Sequence, residues 1–194
     1  MSSKSFLRKY SNVFHSFALL AFMLSSFSFG ATPEQLAAAR DFAIEGIGLN
    51  TTVTSFKAKY PSAELIADES DTACNMVFYR VDSTSSTDGI DVKFFSGKVL
   101  EIRAWYFPSR VNKTFGTWGV IAEKLVQKIG KADEVKEGND DDNVIARIFW
   151  RFPDEVNRYF AMDVTTERVV LVATNLLQYK KYLELKKSKA DVGF

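Results

Sequence analysis

The sequence predicts an α+β protein. Two repeated units, each a helix followed by four strands, are expected to share one antiparallel sheet with helices on one face, and further helices are expected at the N- and C-terminal ends. Three observations carry this. Blocks of helical period are followed by blocks of strand-like alternation. The order helix, then β-rich segments, occurs twice, with residues corresponding at a shift of about 70 positions. Lastly, the matches fall in equivalent contexts: Lys59-Tyr-Pro-Ser-Ala63-Glu64 with Lys128-Ile-Gly-Lys-Ala132-Asp133, and Phe78-Tyr79-Arg80 with Phe149-Trp150-Arg151. Ile90, Val92, Phe94, Leu100 and Ile102 likewise match Phe160, Met162, Val164, Val170 and Val172. The units run from about 31 to 107 and from about 115 to 175.

Residues 1–30 read as a cleavable secretory leader. Lys4, Arg8 and Lys9 precede an uncharged run of 14 residues, Ser16–Phe29, with Ser28 and Gly30 at −3 and −1 of a cut before Ala31. That run is shorter than the roughly 20 residues a membrane-spanning helix needs. The expected destination is the periplasm or the outside of the cell, with no membrane-spanning segment in the mature chain. Thr32-Pro33-Glu34-Gln35 is a helix start, and LAAARDFAI runs toward Gly46 or Gly48. Asn50 is placed to cap a short helix bearing Val53, Phe56 and Tyr60, which Pro61 ends.

Met76–Asp82, Ile90–Phe95 and Val99–Phe107 follow as strands. A three-residue loop around Ser96-Gly97 puts Ile90, Val92 and Phe94 on one face with Leu100, Ile102 and Ala104. A core-facing helix from about Gly116 to Ile129 carries Trp118, Ile121, Ala122, Leu125 and Ile129. Val144–Phe152, Val156–Val164 and Arg168–Thr174 read as strands. A Lys-rich helix from Asn175 to Lys189 then shows a narrow apolar stripe of Leu176, Tyr179 and Leu183.

Composition removes several kinds of chemistry. Residues 1–30 hold three of the 25 basic residues and no acidic one, leaving 22 against 24 and a formal charge of −2. No basic footprint for nucleic acid remains. The one histidine, His15, lies in the leader, and Cys74 is the one cysteine. Ser–His–Asp and Cys–His catalysis and zinc held by His and Cys are therefore excluded from the mature chain. Cys74 is expected as a small buried hydrophobe. Asp140, Asp141 and Asp142 lack the spacing of a calcium loop and read as a solvated turn. Asn50-Thr-Thr52 and Asn112-Lys-Thr114 are glycosylation sequons, meaningful in a eukaryotic host. No catalytic residue, metal or cofactor is expected.

Gly48-Leu-Asn-Thr-Thr, Phe56 and Tyr60-Pro61-Ser-Ala63-Glu64 resemble the opening of the SmpA/OmlA (BamE-like) family, and Leu125-Val-Gln-Lys-Ile-Gly130-Lys-Ala132-Asp-Glu is similar to it again. Two such units in tandem resemble the β-lactamase-inhibitor-protein-like architecture over about residues 46–175. The resemblance implies helices on one face of a long curved antiparallel sheet, and a sheet that binds other proteins. BamE-like proteins are usually lipoproteins. This chain has no cysteine after the apolar run, so their role in outer-membrane assembly is not carried over.

Strand parity assigns the faces. Val77, Tyr79, Val81, Ile148, Trp150 and Phe152 belong with the core. The opposite parity leaves Phe78, Arg80, Arg103, Trp105, Arg147, Phe149, Arg151, Tyr159 and Leu171 on an open face, the residue types that dominate binding hot spots. The competing expectation is a solvated face held by cross-strand charge and cation–π pairs. The function expected is a non-enzymatic exported protein that binds another protein or a cell-envelope component. Two alternatives stay open: a polysaccharide hydrolase using Glu101 and Asp163, and a carrier of an apolar ligand, which the 17 Phe allow.

Overall fold

The structure, a computed structural model, describes residues 31–107, 109, 118–137, 144–152, 156–165 and 167–191. The leader, the second sequon and the Asp140–Asp142 turn lie outside the described residues. The protein is α+β, and its described residues form four helices and a large antiparallel sheet.

Helix α1 spans Pro33–Asp41 and stops short of the predicted Gly46. Ala43–Ile44 (β1) and Ile47–Gly48 (β2) instead make a tight hairpin. Its turn residues Glu45 and Gly46 both have positive φ, 52° and 71°, the conformation that matches strand twist in a two-residue loop. Phe42, Ile44, Ile47 and Leu49 are all buried, so two-residue alternation displaces the helical period here. Helix α2, Val53–Lys59, is capped by Thr52 rather than Asn50, through a reciprocal capping box with Ser55. The Asn50 side chain is occupied elsewhere: its Oδ1 accepts from Arg158 Nη2 at 2.8 Å.

The strands follow as β3 (Glu64–Leu65), β4 (Met76–Val81), β5 (Gly89–Phe95) and β6 (Lys98–Tyr106), then α3 (Trp118–Ile129). After α3 come β7 (Glu134–Glu137), β8 (Val144–Phe152), β9 (Arg158–Thr165), β10 (Val169–Asn175) and α4 (Leu176–Asp191). The short edge strands β3 and β7 had no strand signal of their own in the sequence. The sheet order is β3-β4-β5-β6-β10-β9-β8-β7. Two four-strand meanders thus meet along β6 and β10, which pair antiparallel.

The β5–β6 hairpin corrects the predicted three-residue loop, and it takes Leu100 off the face expected for it, where Val99 stands opposite Phe94 instead. Phe95 pairs with Lys98 across a two-residue loop, Ser96-Gly97, with φ of 49° and 79°. The odd residue sits instead at a bulge, where Lys93 pairs Glu101 and Phe94 pairs Val99, leaving Leu100 extra. Parity beyond the bulge is as predicted. Ile90, Val92, Phe94, Ile102 and Ala104 are fully buried, as are Ile148 and Trp150.

The core lies between the sheet and the first three helices. Phe56 of α2 sits 5.2 Å from Phe94 and 5.8 Å from Tyr79 by ring centroid, and Phe42 meets Phe160 edge-on at 4.8 Å. Ile121, Ala122, Leu125 and Ile129 of α3 are buried, and α3 contacts α1. Trp150 Nε1 donates to the Gly130 carbonyl at 2.9 Å, so the buried indole leaves no unpaired donor.

Helix α4 departs from the expected arrangement. Met76 pairs Phe95, and both alternate with Val77 and Phe94, so they point to the face opposite the main core. With Cys74 and Leu100 they form a second apolar cluster, which Tyr182 and Leu185 of α4 cover. Helices therefore lie on both faces, α4 closing one end of the otherwise open one. The predicted stripe is not the docked one: Tyr179 and Leu183 are exposed. Tyr182 takes their place because its ring meets Phe95 at 5.8 Å and its hydroxyl donates to Asp71 Oδ2 at 3.1 Å. Lys189 Nζ also bonds the Ala73 carbonyl oxygen, tying the helix across the cluster. Cys74 is buried, as expected of it. Among the described residues no helix is long and apolar enough to cross a membrane.

Candidate functional site: the open sheet face

Register places the open-face side chains in three cross-strand rows. The first runs Arg80, Asp91, Arg103, Val172, Ala161 and Phe149, bounded by Glu64 and Glu134. The second runs Phe78, Lys93, Glu101, Thr174, Tyr159 and Arg151. The third runs Gly89, Trp105, Val170, Asp163, Arg147 and Lys136.

Seven of the nine residues assigned to this face come together on it at least partly accessible: Arg80, Arg103, Trp105, Arg147, Phe149, Arg151 and Tyr159. Two do not fit. Phe78 is on the face but buried, its ring roofed by Arg80 at 5.6 Å and Lys93 at 5.5 Å. Leu171 is on the core side, opposite Ala104, and is buried. Val170 and Val172 take the open face instead, opposite Trp105 and Arg103. Val172 is therefore not the core counterpart of Ile102; Leu171 is, since it pairs Met162 as Ile102 pairs Val92. Strand β10 reads VVLVATN, apolar at both parities, so its pattern does not select a face.

Charge on the face is organised in ion pairs, mostly between strands, with Arg103–Glu101 formed within β6. Arg80 grips Asp91 with two bonds, Nε to Oδ1 at 2.8 Å and Nη2 to Oδ2 at 3.1 Å. Glu101 receives Arg103 at 3.0 Å and Lys93 at 3.9 Å, Asp163 receives Arg147 at 3.6 Å, and Glu134 receives Arg151 at 2.9 Å. Phe149 and Tyr159 lie 6.0 Å apart, with Arg151 and Lys136 over the Phe149 ring. The pairs that competed as the plain reading of this face are thus present. Burial pushes the Asp163 carboxyl above the ordinary range, with Arg147 and Arg103 opposing. Hydrogen bonds from Lys136 and Arg151 hold the Glu134 carboxyl below it.

Trp105 has a seat that the sequence did not reveal. It pairs with Gly89, and a Cβ on Gly89 would lie 2.6 Å from Trp105 Cζ2. The indole therefore lies against bare backbone, a packing that only glycine permits. Arg80 stands 5.9 Å from the same ring. The hydrolase pair does not form a cleft. Glu101 and Asp163 are two strands and two rows apart, with the Arg103 row between them, a backbone separation of ~16 Å by ordinary strand geometry. Each is also engaged by an arginine.

Two polar constellations elsewhere were also missed. Glu45, held in the left-handed turn, accepts from Tyr106 Oη at 3.2 Å and from Ser86 Oγ, while Lys59 and Tyr60 bond its carbonyl. Burial and the Glu45 carboxylate push the Tyr106 hydroxyl far above its ordinary range, so it stays protonated and donates. This cluster pins the β1–β2 hairpin to the loop before β5. Arg158, buried on the core side, joins β9 to Asn50 in the same tying manner. Among the described residues no group of His, Cys, Asp and Glu is arranged to hold a metal ion. No protein family, curated protein or solved structure matches this chain.

Proposed function

We propose that the chain is an exported, non-enzymatic protein that uses the open sheet face to bind another protein or a cell-envelope component, in the periplasm or outside the cell. One observation carries the reading. Trp105 is held on Gly89 amid Arg80, Arg103 and the two accessible valines Val170 and Val172, so an aromatic anchor and arginines are presented together on rigid strands. Aromatic and arginine side chains fixed before contact lose little freedom on binding. The same proposal takes the two meanders as tandem units of SmpA/OmlA (BamE-like) kind. The mirrored strand order and the helix ahead of each meander support it.

The test measures capture and stability on the same variants. Wild type, Trp105→Ala and Arg147→Ala are immobilised and exposed to cell-envelope extract. The expectation is a specific partner lost from both variants while their melting temperatures stay close to wild type. Unchanged capture together with a large fall in melting temperature refutes the binding role.

A further inference from the structure

The cations and anions of the open face stand at different heights. The Arg103 side chain keeps 51% of its surface exposed and its partner Glu101 14%; Arg147 keeps 42% and its partner Asp163 29%. The short carboxylates sit down between the strands, and the arginines reach past them. A body approaching the sheet therefore meets guanidinium groups first, although the formal charges of the pairs cancel. Bonding capacity also remains. Arg103 engages Glu101 through Nε, and no described residue bonds its two terminal nitrogens. Arg151 bonds Glu134 through one of its terminal nitrogens. A guanidinium carries five N–H donors in a fork that matches a carboxylate.

An apolar seat lies among these arginines. Trp105, Val170 and Val172 are partly exposed, and both valines neighbour the arginine-bearing strand β6. A dense polyanion offers nothing to fill such a seat. A protein segment can supply an apolar side chain for the seat and carboxylates for the outward arginines. Resting on the binding role proposed above, we infer that the face recognises an acidic protein segment. One apolar side chain of that segment sits on Trp105, Val170 and Val172, and flanking Asp or Glu side chains take the free donors of Arg103 and Arg151. The recessed carboxylates keep the arginines extended before contact, so the fork is already aimed.

A random-sequence peptide library displayed on phage tests this against the full chain, with Arg103→Glu and Trp105→Ala as parallel baits. Arg103→Ala substitutes should the charge reversal unfold, and each bait's melting curve is recorded. The expected result is selection by wild type of peptides with Asp or Glu around an apolar residue. Synthetic versions of these bind Arg103→Glu at least about tenfold more weakly. Their binding also weakens at least roughly fivefold between about 0.05 and 0.5 M salt, as screening shortens the reach of exposed charges. Peptides that need Trp105 and Arg103 but lack acidic enrichment overturn the acidic partner and leave the binding face standing. Peptides that bind all folded baits equally, or no selected peptides at all, overturn both.

Discussion

Alanine at Gly89 tests the Trp105 seat without touching the indole. Its Cβ would lie 2.6, 2.7 and 2.9 Å from Cζ2, Cε2 and Nε1 of Trp105, where carbon contacts normally sit at about 3.5–4.0 Å. The ring must lift by ~1 Å. Its outer side is partly open, so it can tilt, at a rotamer cost of ~0.5–1.5 kcal/mol. Alanine in a strand recovers roughly 0.5–1 kcal/mol of backbone entropy relative to glycine. The two nearly offset, and net stability should move by less than about 1 kcal/mol, or a few degrees in melting temperature for a domain of this size. Indole N–H correlations give the assay. The three tryptophans yield three resonances. That of Trp105 should shift strongly, whereas that of Trp150, bonded to Gly130 inside the core, should stay in place. Partner capture should fall by roughly tenfold, because the shape is lost although the chemistry is kept. An unmoved Trp105 resonance would refute the seat, and a loss of ~3 kcal/mol or more would mean the ring is locked in core-like packing.

Other expectations are sharper still for stability. Trp150→Phe removes the donor to Gly130 and leaves a gap; urea unfolding should show a loss of about 2–4 kcal/mol, and a change under 1 kcal/mol would contradict the buried geometry. Cys74 should resist maleimide in the folded protein, and Tyr182→Ala should expose it by undocking α4; equal labelling rates would show that α4 does not cover the cluster. Asp163 has a raised folded-state pKa, so the folded protein binds its proton more tightly than the unfolded chain and the penalty of burying its charge disappears as pH falls. Wild type should accordingly gain stability relative to Asp163→Asn between about pH 7 and pH 4. A difference that stays flat across that window defeats the assignment.

The parity of most strands was legible because alternation in β4, β5, β6 and β8 is strong enough to fix a face. Tyr79, Val92, Ile102 and Trp150 went to the core on that basis alone. Where alternation failed, so did the reading. Strand β10 offers Val170, Leu171 and Val172 in succession, and only pairing with β6 reveals which of them faces outward. The β1–β2 hairpin hid because AIEGIG prolongs a helical pattern, though Glu45-Gly46 was a turn signal in plain sight. On α4 two stripes with helical spacing compete, and the choice rests on Phe95 and Asp71, which are distant in sequence. The seat beneath Trp105 needs two strands to be aligned before Gly89 has any meaning. For the face as a whole, residue types were readable, while the depth difference between arginines and carboxylates belongs to three-dimensional reach.

The margins of the sheet bear on how this protein stays apart from copies of itself. An outermost strand offers unpaired N–H and C=O groups, and a long apolar one invites fibril-like growth. Here one margin is β3, two residues long, and the other is β7, which reads Glu-Val-Lys-Glu. Both are short, and β7 carries Glu134 and Lys136, charges of the kind that discourage an incoming strand. Short margins of this kind are one way a broad sheet avoids pairing edge to edge with its own copies.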